Sequence, residues 1–204
     1  GLNWPVLKAG VSGLPNSPSA YPPLSFRALS MALGLPVLAL ALWWLKVPFA
    51  LPRRHWRELG LLTLSNMVVW HVVIIIGVQQ LSSGRAAILG YTMPVFAAIW
   101  GRWIWGDRLA PQAWAGVAAA GGGVLLLLGS ELSALGGHPD AVLAIVAAAA
   151  VWAYGTHRLR RSPIDVPLLA IVFWMTAVTA VVLALGAWLF ERGQWRAPEP
   201  LVWG

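Results

Sequence analysis

Long apolar runs alternate along the chain with short polar stretches that hold nearly all of its charge. Cutting the 204 residues at charges and at Pro/Gly clusters leaves seven apolar segments. The first is a stub over residues 1–11, and the others run over 26–45, 59–81, 86–105, 113–129, 141–154 and 168–190. A helix rises about 1.5 Å per residue, so about 20 residues cross the ~30 Å hydrocarbon core of a bilayer. Most of the runs have that length. The shortest, 141–154, spans only if Thr156 to Leu159 lie in the interface. The pattern predicts an all-α, polytopic membrane helix bundle of about seven spans, with connections short enough to force antiparallel neighbours.

Composition agrees. The chain is 59% hydrophobic and 10% charged, whereas a water-facing surface calls for about 25% charged residues. The net charge of +7 does not make a nucleic-acid binder, because the basic residues sit in small clusters between spans and form no stripe. With no cysteine, disulfides and thiolate metal sites are excluded within the chain. The excess of arginine over lysine, 12 to 2, hints at a GC-rich bacterial gene. The chain starts and stops inside apolar sequence, which leads us to expect a fragment of a longer protein.

Charge also orders the linkers. Residues 46–58 carry Lys46, Arg53, Arg54 and Arg57 against Glu58, 102–112 carry Arg102 and Arg108 against Asp107, and 157–167 carry Arg158, Arg160 and Arg161 against Asp165. The intervening linkers are poorer in positive charge, and one of them holds only Glu131 and Asp140. The positive-inside rule then places linkers 46–58, 102–112 and 157–167 in the cytoplasm, with nine basic residues inside against five outside. Tryptophans such as Trp43, Trp44, Trp56, Trp103, Trp105 and Trp195 cluster near span ends, as in interfacial belts. A faint repeat is visible too: Trp152-Ala153-Tyr154-Gly155 leads to Arg160 at the spacing by which Gly1-Leu2-Asn3 leads to Lys8. Units of five spans would be inverted relative to one another, a transporter design.

Three stretches carry a family resemblance. They are Gly1-Leu2-Asn3 with Lys8, Pro23 and Phe26-Arg27-Ala28; Gln79 to Leu89 with Tyr91 and Pro94; and Trp105-Gly106-Asp107-Arg108-Leu109 with Trp114 and Gly116. Together they resemble an EamA-type repeat of the drug/metabolite transporter superfamily, with Asp107 where Glu is commoner. The resemblance covers residues 1–130 as a first repeat, with its first span truncated, and 141–204 as the start of a second. It implies a ten-helix carrier of two inverted repeats, both termini cytoplasmic, exporting or exchanging small metabolites. Spans eight to ten would be missing from this chain.

Candidate chemistry lies at mid-membrane. In the third span Thr63, Asn66, Met67, Trp70 and His71 share an arc of about 140° at helical spacing. Polar groups at that depth need partners or a wet cavity. Asn66 and His71 either line a substrate path walled by Trp70 or act as interhelical hydrogen-bonding glue. In the fourth span Pro94, beside Tyr91 and Thr92, deprives the Gly90 carbonyl of its helical donor, and Pro5 does the same for Gly1 beside Asn3 and Trp4. Broken helices at this depth point to a carrier's binding site, so the expected substrate-binding residues are Asn3, Trp4, Asn66, Trp70, His71, Tyr91 and Pro94. Pro36 reads as a packing kink. Lys8, Arg27 and Arg85 near the outer edge form either a basic vestibule or headgroup anchors. Asp107 and Arg108 read as a cap or an interfacial pair. The small faces of the fifth span (Gly116, Ala120, Gly121 to Gly123) and the sixth (Ala144, Ala147 to Ala150) suit close helix packing.

All seven acidic residues fall in linkers, so proton coupling within this part would have to use His71. His55, His71, His138 and His157 lie in different segments without metal-ligand spacing. No catalytic residue, metal or cofactor is expected, and an embedded enzyme is disfavoured. A non-transporting scaffold or sensor would not need polar residues and prolines at mid-depth. The expected function is therefore secondary transport of small organic metabolites such as amino acids, amines or drug-like compounds across a bacterial cytoplasmic membrane. The expected partners are a small-molecule substrate and the lipid bilayer, with a homodimer left open and no nucleic acid.

Overall fold

A computed structural model describes residues 8–11, 21–108, 110–133 and 138–195, all of whose regular structure is helical. We label the helices α1 (Pro23–Trp44), α2 (Arg53–Gln80), α3 (Ser83–Gly90), α4 (Met93–Ile104), α5 (Pro111–Ser133), α6 (Pro139–Arg160) and α7 (Leu168–Phe190). Of these, α1, α2, α6 and α7 are each long and apolar enough to cross a membrane. The chain is an all-α, multi-pass membrane bundle.

Local chemistry sets most of the boundaries. Pro23, Pro111 and Pro139 open α1, α5 and α6, where the missing N–H costs nothing. Helix α1 runs through Pro36 without stopping. It ends at Lys46, a non-glycine residue at φ 53°. There the Lys46 N–H donates to Trp43 O (3.1 Å) and the Val47 N–H to Leu42 O (2.9 Å), the paired bonds of a left-handed helix stop. The expected short sixth span is longer than its apolar core, because α6 continues through Thr156 to Leu159.

Helices α1 and α7 pack along their length, and α6 sits among α2, α3, α4 and α5. Glycines bring α2 and α6 together at two levels. A Cβ on Gly77 would lie 2.8 Å from Ile145 Cδ1, and one on Gly155 would lie 2.5 Å from Ser65 Oγ. At Gly77 a Cβ would have to displace the end of the Ile145 side chain, and at Gly155 it would run into the bonded Ser65 and Asn66 side chains. Around these contacts Ile74, Ile75, Val78, Leu89, Val142 and Ile145 form one core, and Leu59, Leu62, Ile164, Ile171 and Met175 form another.

The small faces behave differently on the two helices for which close packing was expected. On α6, Ala148 and Ala149 of the expected face are buried and Ala150 is half-buried, while Ala144 and Ala147 are exposed. On α5, Cβ atoms at Gly116, Gly121, Gly122 and Gly123 would meet nothing within 4 Å. Those α5 glycines therefore do not serve close packing among the described residues. Large side chains of α5 such as Leu125 and Leu126 are exposed as well.

The three basic linkers meet at one end of the bundle. Arg158 makes a two-pronged ion pair with Glu58, Nη2 to Oε2 at 2.6 Å and Nε to Oε1 at 2.8 Å. Arg161 pairs with Asp107 at 3.0 Å and donates to His157 Nδ1, while the His157 ring stacks on Trp105. Asp165 joins Arg54 (3.2 Å) and His55 (3.1 Å). Its own backbone N–H first, then Arg54 and His55, hold its carboxyl below the usual aspartate range. Asp107 is thus ion-paired across the bundle with Arg161, where the sequence reading had set it beside Arg108.

At the opposite end two long-range caps close helix termini. Lys8 Nζ donates to the carbonyls of Val78 (2.7 Å), Gln79 (2.9 Å) and Leu81 (3.1 Å) at the C-terminus of α2. With those carbonyls on its ammonium, Lys8 caps the C-terminus of α2. Glu191, only 5% exposed, accepts from the Leu24 N–H (2.8 Å), the Ser25 N–H (2.7 Å) and Ser25 Oγ (2.6 Å). Its carboxylate satisfies first-turn donors of α1 that have no intrahelical partner.

Candidate functional site

The expected third span is not a regular helix. Helix α2 begins with a 3₁₀ turn (Arg53–His55), continues as α-helix over Trp56–Thr63, widens into a π turn at Leu64–Val68 and resumes as α-helix over Val69–Gln80. Side-chain donors cluster on backbone carbonyls around the wide turn. Thr63 Oγ1 donates to Leu59 O (2.7 Å), Ser65 Oγ to Leu61 O (2.8 Å) and Asn66 Nδ2 to Leu62 O (3.1 Å). Such back-bonding offers the backbone an alternative to its regular ladder.

The π turn falls inside the five residues expected on one face, so spacing at 3.6 residues per turn does not hold across them. The structure deals them to different neighbours. Met67 packs against the Leu59–Met175 core, and Trp70 packs against the core around Ile74 and Ile145. Asn66, 5% exposed, faces Gly155 and Thr156 of α6. The single Thr156 hydroxyl proton lies within reach of Asn66 Oδ1 (3.2 Å) and Trp152 O (3.0 Å). Asn66 therefore ties α2 to α6, which is the geometry of interhelical glue.

His71, 9% exposed, is one turn further on. Its Nδ1 donates to Met67 O at 2.7 Å. A carbonyl can only accept, so the Nδ1 proton is fixed there, and Nε2 of the neutral ring is an acceptor. Arg27 Nε is buried and has no hydrogen-bond partner. This residue, expected near the outer membrane edge, lies in the second turn of α1.

The fourth span is broken beside Pro94, as its sequence led us to expect, and the break is a full stop between two helices. Helix α3 stops at Gly90, and α4 restarts at Met93 with Pro94 in its first turn. Across the break the Tyr91 N–H donates to Ala87 O (2.9 Å), the Thr92 N–H to Leu89 O (3.2 Å) and Thr92 Oγ1 to Leu89 O (2.6 Å). Pro94 cannot donate and its ring opposes a continuous helix, so the chain makes a turn and nucleates again. Gly90 and Thr92 are buried, while Pro94 is exposed and Tyr91 is 69% exposed. The exposed Tyr91 ring thus does not share the enclosed setting of Asn66 and His71. Beside the break an apolar cleft of about 280 Å³ lies between α4, α5 and α6, lined by Thr92, Val95, Phe96, Ile99, Gly121 and Val146, among others. The expected site residues Asn3 and Trp4, and Pro5 beside them, lie outside the described residues.

Two features escaped sequence reading. The π turn has no proline or glycine to announce it, although Ser65 and Asn66 side by side were a usable signal. The burial of Arg27 Nε had no local signal at all, since an apolar run does not reveal how its helix is rotated.

Comparison with known proteins supplies the wider setting. The chain is 24% identical over 198 residues to the uncharacterized transporter YoaV of Bacillus subtilis (strain 168), covering 94% of this chain and 63% of that protein. It is 26% identical over 200 residues to the aromatic amino acid exporter YddG of Ancylobacter novellus, covering 95% of this chain and 66% of that protein. The chain thus spans just under two thirds of the length of these curated relatives. A solved crystal structure shares the fold with a TM-score of 0.68 at 24% identity, over 99% of this chain and 67% of the other. The profile of the EamA-like transporter family matches residues 3–129. By that match, which covers more than half of its length, the chain belongs to the EamA-like transporter family.

Proposed function

We propose that the protein is a secondary transporter that exports or exchanges small organic metabolites by alternating access, and that this chain supplies one wall of its substrate path. The observation that carries the reading is the interrupted fourth span. A turn at Tyr91–Thr92 inside a membrane bundle is costly unless protein or water satisfies its backbone. Carriers place such breaks where substrate binds. On the neighbouring α2 the buried His71, beside Trp70, offers polar and aromatic contacts at mid-depth, while Asn66 holds that helix against α6. Asn3, Trp4, Tyr91 and Pro94 complete the residues assigned to the path. Residues 1–130 would form one five-span repeat and 141–204 the start of an inverted second.

Aromatic amino acids are the first substrates to try, because one relative is named as their exporter. The protein would lie in the bacterial cytoplasmic membrane with linkers 46–58, 102–112 and 157–167 inside. The ion pairs that gather these three linkers at one end of the bundle support a common side for them. An enzyme is a poorer reading, since the matching family and both relatives are named as transporters or exporters.

The test is counterflow in proteoliposomes of the full-length protein. Vesicles preloaded with L-tryptophan, L-phenylalanine or tryptamine should accumulate the same labelled compound, saturably, above protein-free vesicles. The His71→Ala variant should lose most of that uptake. Absence of saturable uptake for all three solutes, or a His71→Ala variant that transports like wild type, would defeat the proposal.

A further inference from the structure

We propose that the corner between α1 and α2 binds the headgroup of an anionic phospholipid, with Lys46 as its charged contact and Trp43 and Trp44 as its walls. The site stands on the membrane bundle alone and does not depend on what the protein carries.

Shape comes first. An open groove of about 840 Å³ lies where α1 ends, lined by Trp43, Trp44, Lys46, Pro48 and Phe49 among others. Both tryptophans and the lysine are exposed. Helix α1 crosses with residues 23–44 and the chain turns back at Arg53, so the groove sits where a span leaves the hydrocarbon. Indole rings at that level face acyl chains with their apolar bodies and headgroups with their N–H.

The corner is rigid before any lipid arrives. The Lys46 and Val47 N–H groups close the end of α1 on Trp43 O and Leu42 O. Trp174 of α7 donates its indole N–H to Phe49 O (2.8 Å), and the Phe49 ring packs edge-on against Phe173. Trp43 and Trp44 take no part in this bonding, and their indole N–H groups make no hydrogen bond among the described residues. Groups already held in place lose little freedom on binding. Lys46 has φ 53°, a backbone that glycine would adopt at less cost. Lysine at this turn brings an ammonium to the groove instead.

Charge selects the occupant. Linker 46–58 holds four basic residues against Glu58. Glu58 is taken by Arg158, and Arg54 by Asp165. Lys46, Arg53 and Arg57 form no ion pair among the described residues. The carbonyl end of a helix repels anions, but here the Ala41, Leu42 and Trp43 carbonyls already accept from Leu45, Val47 and Lys46. A concave, basic, tryptophan-walled corner at the membrane surface complements an anionic headgroup.

The test titrates pyrene-labelled phosphatidylglycerol and phosphatidylcholine onto the full-length protein in maltoside micelles, read by energy transfer from the protein's tryptophans. The wild type should prefer phosphatidylglycerol. Lys46→Gln should weaken that binding about fivefold, while Arg160→Gln, the same charge change at an exposed residue of the same end of the bundle, should alter it by less than about twofold. Lys46→Gly should show the same loss as Lys46→Gln while unfolding no more easily than wild type, which keeps misfolding from explaining the result. Equal effects at positions 46 and 160 would reveal a diffuse attraction to the basic end and overturn the site. No preference for phosphatidylglycerol in the wild type would mean that another segment of the protein or a second copy covers the groove, which overturns it too. Inorganic phosphate that displaces the lipid more than chloride does at equal ionic strength would assign the groove to a free anion and refute the lipid.

Discussion

Replacing Gly155 by alanine tests how the π turn of α2 is held. The added Cβ would lie 2.5 Å from Ser65 Oγ and 2.8 Å from Asn66 Cγ, with Asn66 Nδ2 nearer still. The Ser65 contact is about 1 Å inside the 3.4 Å at which ordinary contact begins. Neither side chain can swing away freely, because Ser65 is bonded to Leu61 O and Asn66 to Leu62 O. Helices α2 and α6 must therefore separate locally. Overpacking of this kind costs about 1–3 kcal/mol, and losing the Thr156–Asn66 bond adds about 1 kcal/mol. Unfolding of purified protein in mixed micelles should show Gly155→Ala destabilised by about 2–4 kcal/mol. Ser65→Ala removes the nearer oxygen, so in the Gly155→Ala background it should recover part of the loss, with a coupling of at least about 0.5 kcal/mol. A Gly155→Ala protein as stable as wild type, or strictly additive effects of the two changes, would refute the close approach.

Three further outcomes follow from other contacts. Lys46→Gly relieves a left-handed residue and should stabilise the protein by about 0.5–1 kcal/mol in the same unfolding assay. Glu58→Gln leaves the Arg158 guanidinium without its carboxylate and should cost about 1–3 kcal/mol, most of it recovered when Arg158 is also changed to Met. Asp165 titrates below its unfolded value, so its contacts with Arg54 and His55 add stability above the unfolded pKa of about 4 and lose it as pH falls through the lower folded pKa. Comparing melting at pH 7 with melting near pH 3 should show a smaller acid-induced drop in Asp165→Asn than in wild type.

How much of this was legible in sequence depended on the range of the interaction. Apolar runs of spanning length announced the helices, since burial in lipid is a property of each segment alone. Pro94 announced a disturbance in the fourth span because its chemistry is local; the extent of the break, a full stop at Gly90, needed the surrounding turn. The Asn66–Thr156 tie, the Lys8 cap on α2 and the Glu191 cap on α1 join residues 70 or more positions apart. No window along the chain could pair them. The π turn shows a further limit: helical spacing grouped Thr63 to His71 on one face, and one wide turn was enough to send Met67 and Trp70 into different cores. The glycines of α5 had a composition suited to close packing, yet a small side chain permits an approach without causing one.

The central claim is that the break at Tyr91–Thr92 borders a water-filled substrate path. The chain contains no cysteine, so single cysteines can be placed in it without removing any others. The direct measurement is labelling of Tyr91→Cys and of an exposed apolar control inside the spanning helix α7, Leu185→Cys, by a charged, membrane-impermeant thiol reagent in proteoliposomes, with and without L-tryptophan. The account predicts that the cysteine at position 91 reacts, that L-tryptophan slows its labelling, and that the control stays inert. A cysteine at position 91 as unreactive as the control, or one whose labelling ignores every solute the protein transports, would contradict it.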